Sequence, residues 1–174
     1  MKRLDAVTRI HAWTYGLALT FAGFGIAFPF RADLIAAVRE YSSPLGIAVL
    51  CVLGTVVSGV VHEAVHAAGF MLGARVPISK IAFGWRTTPA LQLYMCVNVP
   101  VALGGFRLGM LAPAVLVGLV PVLVGASIAS PLLVVVGASN LAGCGNDLAV
   151  VLSTLRLSAK SKIEMDLEGF SVVE

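Results

Sequence analysis

Two histidines and a glutamate stand inside one of the most apolar stretches of this chain, SGVVHEAVHAAGF, Ser58 to Phe70. His62 and His66 are four residues apart, and Glu63 follows the first. On a helix, positions i and i+4 share a face, so both imidazoles can ligate one zinc ion. Glu63 then sits beside the metal, where its carboxylate can take a proton from metal-bound water. Such a zinc needs a third protein ligand and keeps one position open. The competing reading is a polar patch that glues helices together. That accounts for a lone histidine better than for this spacing with an adjacent acid.

Few residues can supply the third ligand. His11 opens the first apolar segment beside Trp13 and Tyr15, a setting that suits an interfacial residue. The position six after His66, where a metzincin pattern wants a histidine, holds Leu72. Asp147, in SNLAGCGNDLAVVL, is the only other carboxylate deep in an apolar segment. His62 lies seventeen residues beyond Leu45, and Asp147 sixteen beyond Pro131. At about 1.5 Å of rise per residue, both come roughly 25 Å into their segments, at matching depth. Asn140 and Asn146 stand near Asp147 and could orient a ligand or hold substrate backbone. Interhelical hydrogen bonding is the plainer role for each. Cys144, one turn before Asp147, is a weaker ligand candidate.

The surrounding elements must lie in a membrane. Of 174 residues, 59% are hydrophobic and 12% charged, about half the charge of a soluble domain. The net charge of +3 gives no basic stripe, so nucleic acid is not an expected partner. Cys51, Cys96 and Cys144 are too few, and odd in number, for a disulfide framework. Four segments approach the ~20 apolar residues that a bilayer requires. They span about 11–30, 45–72, 108–128 and 131–155, followed by a tail, 156–174. The first is expected to be retained rather than cleaved as a leader. Pro121 is expected to kink the third. The expected fold is an integral membrane α-helical bundle of about four transmembrane helices, a single domain over 1–174.

The loop between the second and third spans has its own structure. KIAFGWRTTPALQLYMCVNVPVAL alternates apolar residues with period two, which predicts a small β-hairpin with RTTPA as its turn. Basic residues cluster in the N-terminal arm (Lys2, Arg3, Arg9), this loop (Arg75, Lys80, Arg86, Arg107) and just past the last span (Arg156, Lys160, Lys162). The positive-inside rule places all three, and both termini, in the cytoplasm. The tail, SKIEMDLEGFSVVE, also alternates. It is expected to add a strand to the hairpin and so limit access to the site, or else to be a disordered end.

HExxH on one membrane helix with an aspartate from a later one resembles the site-2 intramembrane zinc metalloproteases. Their later motif, Asn-x-x-Pro then Asp-Gly, is only partly present: Asn140 and Asp147 stand without the proline, and Leu148 follows the aspartate. The HEAVHAAGF start, the FGW…P…Y loop and the N…GCGNDL ending more closely resemble the putative zincin peptidase family of small membrane proteins, from about the second span to the fourth. The resemblance implies one zinc per chain on His62, His66 and Asp147, with Glu63 as the catalytic acid/base. It implies a metalloprotease of the cell membrane, prokaryotic in setting, acting on a peptide or membrane-protein substrate in the lipid bilayer. The alternatives are a non-proteolytic zinc-dependent membrane hydrolase and a non-catalytic metal-binding membrane protein. The oligomeric state is open.

Overall fold

The computed structural model describes residues 2–4, 9–40, 43–86, 92–166 and 169–173. The fold is mostly helical, with two small antiparallel sheets at one end. Among the described residues, three helices are long and apolar enough to cross a membrane, and four segments are if one bent pair counts as a single span. Their apolar side chains point outward. Phe21 and Leu45 are each 74% exposed, and Val56 is 65% exposed. Water would not tolerate a belt of that size on a monomer.

The first long helix runs further than its hydropathy suggests. Helix α1 (Arg9–Ala27) passes through one 3-10 turn, Phe28–Phe30, into α2 (Arg31–Glu40). The sequence suggests a loop after Phe30. Pro29 is instead tolerated in the first turn, and RADLIAAVRE is rich in strong helix formers. Helix α3 (Pro44–Ala74) carries the histidines. Ser43 caps it by accepting the Gly46 N–H at 3.1 Å, with Pro44 at the first helical position. It ends where Arg75 turns left-handed (φ 55°) and the Val76 N–H returns to the Phe70 carbonyl.

The third apolar segment begins five residues before its expected start. Helix α4 (Leu103–Pro113) opens through Gly104 and Gly105. Pro121 lacks an N–H and crowds the preceding turn. Ahead of it the helix widens into π turns over Ala114–Leu119, then continues as α5 (Val120–Ser127). The fourth segment is two helices, α6 (Pro131–Gly143) and α7 (Gly145–Ser153), bent by 40° at Cys144.

The hairpin is present as β2 (Ile81–Arg86) against β3 (Gln92–Val97), with Phe83 opposite Met95. The turn expected at Arg86–Ala90 falls largely on residues outside the described set. The tail does not join this hairpin. Strands β5 (Lys162–Asp166) and β6 (Gly169–Val173) pair with each other. Strand β4 (Val101–Ala102) adds to β5, and β1 (Lys2–Leu4) adds to β6. The resulting four-stranded sheet has the order β1-β6-β5-β4, which brings both termini together. Its apolar face is why the tail docks there. Ile163, Met165 and Val172 are buried over Phe106, Phe70 and Val97.

Candidate metal centre

Close helix contact sets the site. Gly69 and Gly73 on α3 oppose Gly105 and Gly109 on α4, a small-xxx-small pair on each side. A Cβ at Gly69 would lie 2.9 Å from the Gly109 Cα, so no larger residue permits this approach. One consequence is chemical. The approach brings the Gly109 carbonyl to His66, whose Nδ1–H donates to it at 2.9 Å. That bond fixes the tautomer and leaves Nε2 with its lone pair.

A second tie joins α3 to α6. Asn140 donates to the Ser58 hydroxyl at 2.6 Å and to the Val136 carbonyl at 2.9 Å. Ser58 lies one turn before His62, and Asn140 two turns before Asp147. The buried pair therefore sets the register between the two helices that carry the site. The bend at Cys144 then turns α7 so that Asp147 faces α3. Helix α1 presses on this bend. A side chain at Gly145 would meet the backbone of Ala12 and Gly16. Arg107 fastens the far end of α7, donating to the Thr154 hydroxyl at 3.0 Å and its carbonyl at 2.6 Å. Asp147 stands in the first turn of α7, where the helix dipole favours a carboxylate.

These ties bring His62, His66 and Asp147 together. Asp147 Oδ2 is 3.4 Å from His62 Nε2 and 3.5 Å from His66 Nε2. The two rings meet edge to face, 4.8 Å between centroids. Oδ2 is buried and has no hydrogen-bond partner among the described residues. An orphaned carboxylate oxygen facing two imidazole nitrogens is costly unless something sits between them. Tetrahedral zinc with ligands at about 2.0–2.1 Å separates its donors by about 3.3 Å, close to these spacings. The donor set, two imidazoles and a carboxylate, also suits zinc.

Glu63 is half-buried, with β3 packed near its end of α3 around Met95. Asn146 is exposed on α7, and Asn140 is buried in the tie to Ser58. Cys144 is fully buried, its sulfur 4.0 Å from His62 Nδ1. His62, Cys144 and Asp147 offer donor atoms within 4.8 Å of one another, a second combination that could hold a metal. Sequence reasoning did not single out the Gly109 carbonyl. Backbone groups carry no residue signal, although paired GxxxG patterns mark where α3 and α4 touch.

A family model described as "Putative zincin peptidase" matches residues 55–162, well over half of the chain. The chain belongs to that family. The match runs from the middle of α3 to the start of β5 and contains every residue of the cluster. Zincins are HExxH zinc peptidases, so the family implies zinc. No curated protein and no solved structure matches.

Proposed function

We propose that this chain is a membrane-embedded zinc metalloprotease that hydrolyses a peptide bond in or near the bilayer. One observation carries the reading: the last apolar segment returns Asp147 to within 3.5 Å of both HExxH imidazoles and leaves its Oδ2 without a hydrogen-bond partner among the described residues. His62, His66 and Asp147 would hold one zinc. Bound there, zinc supplies Lewis acidity, which polarises a carbonyl and acidifies water. Glu63 does the proton work. A carboxylate oxygen accepts the proton of the attacking water and returns it to the leaving amine.

A helical substrate hides its own carbonyls, so it must enter extended. The hairpin beside Glu63 fits that need, since a sheet edge can align an extended peptide by main-chain hydrogen bonds. Exposed Asn146, next to Asp147, is the asparagine left to contact substrate. The outward apolar belt supports a bundle embedded in lipid as a single domain. Pairing of β1 with β6 supports both termini on one side, which the basic residues assign to the cytoplasm of a prokaryotic cell.

The test compares wild type with Glu63→Gln in detergent, using denatured casein as the probe. Wild type should cleave it, and the variant should keep one zinc per chain with cleavage reduced by at least about 100-fold. Equal cleavage by both would remove Glu63 from the chemistry.

A further inference from the structure

The end of the bundle away from the sheets holds a groove that the hydrolytic reading leaves without a task. It encloses about 520 Å³ between α1, α2 and the start of α6. That lies within the roughly 300–1,000 Å³ of ordinary ligand sites. Ala27 and Val134 line it from the buried cluster they form with Ala126, and Leu34 packs against that cluster. Phe24, Phe28 and Val135 extend the apolar lining. The charged groups on the groove are Arg31 and Arg39, and every other lining residue is apolar.

Helix α2 explains this sorting. At 3.6 residues per turn, Arg31, Leu34, Ile35, Val38 and Arg39 share one face, and all five line the groove. Asp33 and Glu40, the acids of α2, fall on the opposite face. The groove therefore meets cations and no acid from this helix. Arg31 is held in place by Phe28. Its guanidinium donates to the Phe28 carbonyl at 3.3 Å and lies 4.5 Å from the centre of the Phe28 ring. An arginine carries five N–H donors, so most remain for a ligand. Depth suits a lipid. The 19 residues of α1 rise about 28 Å, close to the ~30 Å thickness of the hydrocarbon. Arg31 follows just beyond that helix, at headgroup level, while Phe24 and Ala27 stand among acyl chains.

We propose that this groove binds one anionic phospholipid, its acyl chain against Phe24, Leu34 and Val134 and its phosphate on Arg31. Arg39 selects a headgroup of net negative charge. The planar fork of an arginine takes two phosphate oxygens at once. A choline headgroup brings its own cation toward Arg39, which like-charge repulsion disfavours. A soluble anion makes only the polar half of these contacts. A second copy of the chain, docking by apolar side chains, leaves both arginines without a counter-charge. The site is independent of the metal cluster.

Native mass spectrometry of the full chain tests this, with phosphatidylglycerol or phosphatidylcholine added to the detergent micelles. Wild type should hold one phosphatidylglycerol per chain. It should prefer that lipid over phosphatidylcholine by at least about 10-fold, the order that two basic residues supply at an anionic surface. The double variant Arg31→Gln/Arg39→Gln should lose the preference. Val135→Trp, which fills the groove, should lose the bound lipid. Arg156→Gln/Lys160→Gln removes the same charge from exposed positions outside the groove and should change nothing. Millimolar inorganic phosphate should not displace the lipid. Thermal unfolding checks that each variant folds, and the arginine pair, which is exposed, decides the matter if Val135→Trp does not. Equal binding of the two lipids by wild type would overturn the proposal. So would an undiminished preference in the arginine variant, an equal loss in the control, displacement by phosphate, or a dimer in place of the lipid complex.

Discussion

Replacing Gly109 by alanine changes no polar atom, yet it should weaken zinc binding. The added Cβ would lie 2.8 Å from atoms of the Phe70 ring. Carbon atoms rest at about 3.5–4.0 Å, so the helices must separate by roughly 0.8 Å. Phe70 cannot yield, being fully buried against Phe106 at 6.2 Å between centroids. The 2.9 Å bond from His66 to the Gly109 carbonyl then opens. At about 3.7 Å it is no longer a hydrogen bond. His66 loses the partner that sets its tautomer, which should lower zinc affinity about 10–100-fold. Overpacking adds about 1–3 kcal/mol of destabilisation. The assay is zinc competition against a chelator in detergent, alongside thermal unfolding. Gly104→Ala is the control, because a Cβ there meets nothing within 4 Å. If Gly109→Ala holds zinc within twofold of wild type, or if Gly104→Ala loses as much, close packing of α3 on α4 does not set the site.

Other expectations follow from the same contacts. Ser58→Ala strands a buried Asn140 N–H and should cost about 1–3 kcal/mol in thermal unfolding, with Ser58→Thr largely preserving stability. Arg107→Met removes both bonds to Thr154 and should cost about 1.5–3 kcal/mol. Ile163→Ala in the sheet should cost about 2–5 kcal/mol, and truncation after Ala159 should leave a chain that aggregates in detergent rather than a more active enzyme.

The clustered polar residues were legible because their types are wrong for their setting. An HExxH and one aspartate have little reason to stand in apolar segments except to hold a metal, and equal depth already paired them. The hairpin was legible from its period of two. The remainder depends on contacts that leave no local pattern. Strand β4 has two residues and β1 has three, so neither shows a period. The tail alternates, but alternation names a strand and not its partner. It docks on β4 and β1 because Phe106 needs cover there. Gly105 falls before the expected third span, yet in lipid small residues mark helix contact, and a Cβ there would meet Ala74. Cys144 read as a weaker ligand candidate, and only the bend shows its sulfur 4.0 Å from His62 Nδ1.

X-ray absorption at the zinc edge, with zinc affinity measured on the same samples, tests the central claim that Asp147 completes the HExxH pair. The account predicts one zinc per chain in wild type, with nitrogen and oxygen neighbours at about 2.0–2.1 Å. It also predicts zinc affinity in Asp147→Ala weaker by at least about 100-fold, beyond the roughly 10–100-fold that loss of an outer partner costs. Undiminished affinity in Asp147→Ala, or a sulfur neighbour at about 2.3 Å in wild type, would contradict it.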